Sequence, residues 1–263
     1  MLLLFSDGGG QRGSSAAGAC ILRAESGEQI NLVIYLGSGT NNEAEITAGL
    51  LGFAAMKCLK SGESAFSDHK DVHWVSDSEY TLKSATGYIN NWKRNGWLTS
   101  QKKPVKNMGL WKSYLELSKG ISVEPEHVKG HSGHPENELC DQASTWAQNE
   151  AEVWLQGSSP VMVSDSGLEG GNWLLVDGRD FIDQARDEDV DGALEGLGSN
   201  LESELISLIS GVSVSGEGIK VSKLNAAVRE FENSVAKIKK RYGSDQGVQS
   251  LCTRLAEVLE DTE

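Results

Sequence analysis

The apolar and polar positions of the first 155 residues alternate between short strand-like runs and longer helix-like runs. Strand-like apolar runs lie at Leu2–Phe5, Ala17–Arg23, Gln29–Leu36, Val72–Ser76 and Ile121–Val128. Apolar residues recur at helical spacing near Asn41–Lys60, Glu79–Ser84, Tyr88–Lys93, Met108–Lys119 and from Pro135 to Leu155. Three strands, a helix, a strand, helices, a strand and a helix predict an α/β domain with a mixed sheet. The glycines of Gly8–Gly13 predict a turn after the first strand.

The pattern changes after Leu155. Gly157–Pro160 and Gly167–Gly171 have compositions typical of linkers, and we interpret 156–176 as a linker. We predict that 177–263 forms a small, mostly helical, acidic domain. Within it, the apolar residues from Leu224 to Tyr242 follow the alternating spacing of a heptad seam. This seam predicts a small helical bundle, with a homodimer or another protein partner as alternatives.

The acidic charge of the chain is unevenly distributed. The net charge is −14 and the pI is about 4.8, which taken alone argues against a nucleic acid partner. Residues 1–150 carry 14 Lys and Arg against 17 Asp and Glu, whereas 151–263 carry 10 against 21. The first half can therefore still bind a polyanion. A further hypothesis is that the acidic second half competes with nucleic acid for such a site and so causes autoinhibition.

Cysteine usage and hydropathy indicate a cytoplasmic protein. The four cysteines include no CxxC pair, which fits a reducing compartment and argues against a disulfide scaffold. His127, His131 and His134 lack a nearby fourth ligand for zinc. No apolar run approaches the roughly 18 residues of a membrane span. The opening MLLLF lacks the basic residues that begin a signal peptide, so we expect no membrane partner.

Four acidic residues occupy positions at which active sites often form. Asp7 and Asp77 each end an apolar strand, Glu45 lies in the first turn of the first helix, and Asp141 lies in the last helix of the first half. Ligand sites of α/β sheets lie at the carboxyl ends of strands. Each acid alone also fits a turn, a helix cap or a solvated face. The surrounding segments TNNEAE, SDSEY and VKGHSGHPENELCD favour a joint site.

Residues 1–150 resemble type 1 ribonuclease H of the bacterial type, which cuts the RNA strand of RNA–DNA hybrids. The resemblance is carried, in family order and spacing, by FSDGG, TNNEAE, SDSEY, NNWKRNGWLTSQKKPVKN, LW and VKGHSGHPENELCD. It implies a ribonuclease H-like, five-stranded mixed sheet flanked by helices, with the catalytic domain over residues 1–155. It also implies endonucleolytic cleavage that leaves 5′-phosphate and 3′-hydroxyl ends.

The same resemblance implies a role for each of five residues. Asp7 would bridge two metal ions, Glu45 and Asp77 would serve the ion on the nucleophile side, and Asp141 would serve the other. We expect two Mg²⁺ ions, with Mn²⁺ as a substitute, because hard cations prefer oxygen ligands. A metal pair can stabilise both the attacking and the leaving oxygen. His131 matches the mobile histidine of the family, and histidine suits proton transfer or product release.

Two segments are predicted to bind the hybrid. Thr40 and Asn107 match the DNA-phosphate pocket of the family, and Asn41 and Asn42 match amides that touch the two strands. Residues 92–107, here called the basic segment, contain no acid and resemble the basic handle that grips the DNA strand. Its candidate contacts are Trp92, Lys93, Arg94, Trp97, Lys102, Lys103 and Lys106. Such a cluster in an acidic chain indicates a phosphate-binding surface, although a solvated loop around two core tryptophans has the same composition.

Some details and some functions remain open. The turn at Gly8–Gly13, Glu79 after the fourth strand and Tyr88 depart from the usual family pattern. One alternative is a nuclease of the same fold that acts on double-stranded RNA or on a DNA strand-transfer intermediate. Another alternative is a hybrid-binding adaptor without catalysis, whose acidic tail recruits a partner.

Overall fold

The computed structural model describes residues 1–10, 14–59, 65–66, 69–156, 159–163 and 168–213. Met1–Ile206 forms one compact unit, which is the unit described below, and a second unit begins at Ser207. The predicted heptad seam from Leu224 to Tyr242 lies outside the described residues. The predicted helical bundle and homodimer therefore stay predictions.

A mixed sheet forms the centre of this unit. Its strands are β1 (Leu2–Gly10), β2 (Ser14–Arg23), β3 (Gln29–Gly39), β4 (Asp71–Ser76), β5 (Ser122–His127), β6 (Val161–Val163) and β7 (Trp173–Asp177). Their order across the sheet is β5-β4-β1-β2-β3-β7-β6. The β1–β2–β3 meander is antiparallel, and β4, β5 and β7 are added by parallel pairing. All five strands predicted from the sequence are present, and the predicted mixed-sheet fold is confirmed.

Helices cover both faces of the sheet. They are α1 (Asn41–Leu59), α2 (Glu79–Lys83), α3 (Ile89–Arg94), α4 (Met108–Leu117), α5 (Pro135–Trp154), α6 (Arg179–Arg186) and α7 (Val190–Ser213). A π-helical turn, Ser84–Tyr88, joins α2 to α3. On one face α1 lies so close that a Cβ on Gly49 would be 2.1 Å from the Trp74 ring. On the other face the small residues Ala143 and Ala147 of α5 pack against Ala19 and other buried residues of the sheet.

The glycine-rich segment after the first apolar run differs from the predicted turn. Gly8, Gly9 and Gly10 extend β1 and pair with β2, and residues 11–13 lie outside the described ranges. A Cβ on Gly8 would lie 2.4 Å from the backbone C of Ala44 and the backbone N of Glu45. The glycine is therefore needed because α1 crosses directly over the end of β1.

The predicted linker over 156–176 also differs from the structure. β7 pairs in parallel with β3 from Asn31↔Trp173 to Tyr35↔Asp177, and β6 pairs with β7. The run WLLV at 173–176 is completely buried, as is usual for a strand covered on both faces. Trp173 joins the core beneath α5. With these two strands the sheet has seven strands. The glycines on either side of the short apolar run led to its interpretation as part of a linker.

Within the described ranges, no helix is both long and apolar enough to cross a membrane.

Candidate active site

Three of the predicted carboxylates meet at one edge of the sheet. Each of Asp7, Glu45 and Asp77 offers an oxygen, and these oxygens all lie within 4.8 Å of one another. Asp7 lies near the end of β1 and Asp77 follows β4, which pairs with β1 in parallel. Parallel strands bring their carboxyl ends to the same edge. The close crossing of α1 over Gly8 brings Glu45 to the same place.

These carboxylates are buried without enough hydrogen-bond partners. Asp7 is 7% exposed and Glu45 is 6% exposed. Among the described residues, Glu45 Oε2 and Asp77 Oδ1 are buried and have no hydrogen-bond partner. Buried charged oxygens are costly unless they are paired or bind a cation. A cluster of unpartnered oxygen ligands therefore fits a hard divalent cation.

The electrostatics of the cluster lead to the same conclusion. Burial, followed by the charges of Asp77 and Asp141, raises the pKa of Asp7 to about 8. Burial, followed by the charges of Asp7 and Asp77, raises the pKa of Glu45 well above its usual value. Like charges held together in a low-dielectric site favour protonation when no cation is bound. A divalent cation would replace those protons and stabilise the ionised cluster.

Asp7 is held by two donors, one of which the sequence analysis missed. The backbone N–H of Gly8 donates to Asp7 Oδ1 at 2.7 Å, and Asn137 Nδ2 donates to Asp7 Oδ2 at 3.3 Å. Asn137 is buried on α5, one helical turn before Asp141. Its place inside the motif that carries Asp141 is the signal that could have identified it. Asn41 Nδ2 lies 3.5 Å from Glu45 Oε1 and helps to orient that side chain.

Asp141 and His131 lie beside the three-carboxylate group rather than in it. Asp141 is close enough to act on the pKa of Asp7 but does not belong to the group within 4.8 Å. His131 Nδ1 lies 3.8 Å from Asp141 Oδ2, and the histidine side chain is 82% exposed. The backbone of His131 has φ 52°, an uncommon conformation for a residue other than glycine. The structure thus places all five predicted catalytic residues at or beside one edge of the sheet.

Three of the predicted hybrid-binding residues lie at the start of α1, with Thr40 directly before the helix and Asn41 and Asn42 in its first turn. Asn41 and Asn42 are exposed there, and Thr40 is half-buried. The backbone N–H and the hydroxyl of Thr40 donate to Glu43 Oε2 at 2.8 and 2.9 Å. This is a capping box, in which the side chain of the third helical residue returns to the residue before the helix. Glu43 was not singled out from the sequence.

The basic segment presents its cations to solvent. Its side chains Lys93, Arg94, Lys102, Lys103 and Lys106 are all exposed. None of these five cations forms an ion pair with a carboxylate in the part of the chain that the structure describes. Unpaired exposed cations remain available to phosphates.

The two tryptophans of the basic segment are half-buried against other side chains. Trp92 packs against Trp111 with ring centroids 6.0 Å apart, and Lys112 Nζ lies 5.8 Å from the Trp97 ring centroid. Trp97 and Asn107 have φ of 62° and 56°, so the segment is sharply folded at both places. Asn107 directly precedes α4 and makes no side-chain capping bond to that helix. The predicted DNA contacts of these residues stay predictions.

Comparisons with known proteins assign the family. The RNase H family model matches residues 1–149. Ribonuclease H of Citrobacter koseri is 38% identical over 141 residues, which cover 53% of this chain and 83% of that protein. Ribonuclease H of Escherichia coli strain K12 matches with the same identity and coverage. Among solved structures, the PFV RNase H domain has 27% identity and a TM-score of 0.45, covering 56% of this chain and 93% of its own.

The mixed sheet and the carboxylates at its edge are those of an α/β hydrolytic nuclease. The chain belongs to the ribonuclease H family, and its resemblance to the type 1 enzymes is confirmed. Members of this family hydrolyse the RNA strand of RNA–DNA hybrids and use divalent metal ions. The donor set of Asp7, Glu45 and Asp77, all oxygen and partly unpartnered, fits such an ion.

Proposed function

We propose that this chain is a two-metal endonuclease whose reaction centre is the group formed by Asp7, Glu45 and Asp77. The observation that carries the proposal is the meeting of their oxygens within 4.8 Å at the carboxyl edge of the sheet. We assign Asp141, beside this group, to the second metal. Mg²⁺ is the proposed ion and Mn²⁺ its substitute, since both accept oxygen ligands.

The residues around the cluster fix its geometry before substrate binds. Gly8 and Asn137 together hold both oxygens of Asp7, and Asn41 orients Glu45. A Cβ on Gly130 would lie 2.5 Å from Asp77 Oδ2, so the loop backbone closes directly over that carboxylate. When bound, the divalent ions activate water and stabilise the charge that develops on the phosphate oxygens. The products are a 5′-phosphate and a 3′-hydroxyl.

His131 is proposed to handle protons or to assist product release. Its side chain is almost fully exposed and lies next to Asp141, which gives it access both to solvent and to the proposed second metal ligand. Histidine exchanges protons readily near neutral pH. Its loss is expected to slow turnover while the metal ligands remain in place.

We propose that the hybrid lies across the first turn of α1 and the basic segment. Asn41 and Asn42 are exposed and stand in the chain between Thr40 and the carboxylate-bearing Glu45. Recognition of RNA within the hybrid depends on the 2′-hydroxyl and on duplex shape, because the base edges are poorly accessible. The exposed cations of the basic segment would hold the phosphates of the DNA strand.

A cleavage assay on matched duplexes tests this proposal. Wild-type protein should cleave the RNA strand of a hybrid with Mg²⁺ or Mn²⁺, should be inactive with chelator, and should act poorly on all-RNA and all-DNA duplexes. Asp77→Asn should abolish cleavage but retain hybrid binding. Asp71→Asn is the matched control, because Asp71 is an exposed aspartate at the other end of the same strand.

Three results would contradict the proposal. Cleavage that persists in chelator would exclude metal-dependent hydrolysis. Preferential cleavage of double-stranded RNA or DNA would support the alternative function, that of a nuclease with the same fold and a different substrate. Hybrid binding without cleavage in any divalent metal would support the alternative of a hybrid-binding adaptor that has no catalytic activity.

A further inference from the structure

The last residue of α6 reaches across to the first turn of α1. Arg186 Nε lies 2.9 Å from Glu43 Oε1, and Arg186 Nη2 lies 3.2 Å from Glu43 Oε2. The same Nη2 also donates to the backbone carbonyl of Ser38 at 2.8 Å. Arg186 lies outside the residues that match the family model, which end at 149. The extension therefore makes a direct ionic contact with the part of the protein proposed to bind the hybrid.

The negative charge of Glu43 lies next to residues that are proposed to bind the phosphates of the hybrid. Its side chain is only 11% exposed, and it lies between the exposed Asn42 and the metal-ligand candidate Glu45. Its Oε2 accepts two hydrogen bonds from Thr40, one of the proposed phosphate contacts. A poorly solvated carboxylate so close to a bound phosphate would repel it unless a cation compensates the charge. Arg186 is the ion-pair partner of this carboxylate.

The position of α6 is fixed by a close contact with α4. A Cβ on Gly109 would lie 1.8 Å from the carbonyl oxygen of Ala185, so the two helices touch backbone to backbone. Glu188, just after α6, pairs with Lys112 at 2.7 Å, and Lys112 lies over the ring of Trp97 in the basic segment. The end of α6 is thus held between the first turn of α1 and the basic segment.

A cavity lies between the first turn of α1, the end of α6 and the part of the basic segment that contains Asn107. It has a volume of about 250 Å³, and its lining includes Glu43, Asn107 and Arg186. The ion pair of Glu43 and Arg186 therefore faces the same space as Asn107, which is predicted to contact the DNA strand. A phosphate in that space would therefore meet the charges of both side chains.

We propose that Arg186 is a positioning residue for hybrid binding, supplied by the C-terminal extension. Its guanidinium neutralises Glu43 and holds the capping box, so that a phosphate can approach Thr40 and Asn107. Its arrangement suits this task, because a guanidinium offers several donors in a fixed plane and can bond both oxygens of a carboxylate. The inference rests on the proposed function, because it concerns the binding of the same substrate.

Steady-state cleavage of a hybrid by the full chain tests the inference. Arg186→Gln should raise KM about 5- to 20-fold at low salt, with kcat within about twofold of wild type. The increase in KM should shrink as salt screens the repulsion between the unpaired Glu43 carboxylate and the phosphates of the substrate. The double variant Arg186→Gln/Glu43→Gln should return KM to within about threefold of wild type, because the unpaired charge is gone and Gln still serves a capping box. Arg179→Gln, at the other end of α6, is the matched control and should leave KM unchanged.

The single variant Glu43→Gln supplies an independent measurement if Arg186→Gln fails to fold. It removes one negative charge beside the phosphate path while Arg186 keeps its ion pair with Asp183, so KM should fall by about two- to fivefold at low salt. An unchanged KM in Arg186→Gln or in Glu43→Gln would overturn the inference. So would a raised KM in Arg186→Gln that the double variant fails to restore, since that result would indicate a purely structural role. Absence of hybrid cleavage by wild-type protein would instead refute the proposed function.

Discussion

Asn137 Nδ2 lies 3.3 Å from Asp7 Oδ2 in the interior of the site, where Asn137 is only 3% exposed. The other polar atom of the same amide, Oδ1, is buried and has no hydrogen-bond partner among the described residues. Helix α5 carries Asn137 one turn before Asp141, so one helix supplies both an amide that orients Asp7 and a carboxylate beside it. The active site therefore depends on the packing of α5 as well as on the strand ends.

Asn137→Ala should lower hybrid cleavage by about 10- to 100-fold, as is typical when a group that orients a metal ligand is removed. The loss should be partly offset at high Mg²⁺, because an unrestrained Asp7 binds the ion more weakly. The measurement is the rate at saturating hybrid over a range of Mg²⁺ concentrations. Asn149→Ala is the control, since Asn149 is an exposed asparagine on the same helix that only donates to the Thr145 carbonyl. Wild-type rates for Asn137→Ala at every metal concentration would contradict this role.

The metal-free protein should lose stability as pH rises, because burial and neighbouring charges raise the pKa of Asp7 from 3.8 to about 8. Between these two values the folded state keeps a proton that the unfolded state has released. The free energy of unfolding therefore falls as pH rises through this window. Asp7→Asn removes this titration and should raise the free energy of unfolding at about pH 8 by about 1–3 kcal/mol.

Urea unfolding in chelator at about pH 5 and about pH 8 measures this effect. Asp71→Asn, an exposed position, should change neither value appreciably. The prediction fails if Asp7→Asn is no more stable than wild type at the higher pH. Addition of Mg²⁺ should stabilise wild type more than Asp7→Asn, because the metal replaces the proton on the carboxylate.

The sequence was sufficient to predict the five strands and to single out the acids that the fold brings together at one edge of the sheet. Strands such as Val72–Ser76 are short apolar runs bounded by polar residues, and this local pattern survives in the fold. The convergence of Asp7, Glu45 and Asp77 did not follow from periodicity, since the distances between them depend on strand order. The motifs and their family resemblance supplied that information.

The sequence was not sufficient to predict the contacts made by residues after 155. WLLV at 173–176 is too short to be assigned between glycine-rich segments, and its partner β3 lies more than a hundred residues earlier. The Glu43–Arg186 pair likewise joins residues separated by 143 positions. Local sequence patterns do not predict which distant residues will pair in the fold. The capping box of Thr40 and Glu43, by contrast, was visible as TNNE and could have been identified.

Neutralising the basic segment should weaken hybrid binding without slowing the chemical step. The triple variant Lys102→Gln/Lys103→Gln/Lys106→Gln should raise KM at least about tenfold at low salt, with kcat changed by less than about twofold. The slope of log affinity against log salt should become shallower by about 0.7–0.9 for each phosphate that the variant no longer neutralises. Binding measured over a salt series tests both effects.

A matched triple variant separates local contacts from net charge. Lys57, Lys70 and Lys119 are exposed lysines outside the basic segment, and replacing all three with Gln removes the same total charge. That variant should keep a salt slope near that of wild type. Equal weakening by the two triple variants would show that overall charge, rather than the basic segment, governs binding.

Truncation after Gln156 should destabilise the protein rather than release an independent catalytic domain. The cut removes β7, which pairs with β3, and Trp173, which is completely buried beneath α5. Loss of one buried Trp side chain lowers the free energy of unfolding by about 3–5 kcal/mol. The backbone of β3 would also become an unpaired sheet edge, which promotes association between chains. Thermal unfolding should therefore occur at a markedly lower temperature, with aggregation visible by size-exclusion chromatography.

Truncation after Ser213 is the matched control, because it keeps β6, β7, α6 and α7. This chain should unfold near the full-length temperature and retain hybrid cleavage. Residues 214–263 carry eight Lys and Arg against eight Asp and Glu, so their removal leaves the net charge unchanged, and hybrid affinity at low salt should stay near that of the full-length chain. A 1–156 chain as stable as the 1–213 chain would show that β7 contributes little to the sheet.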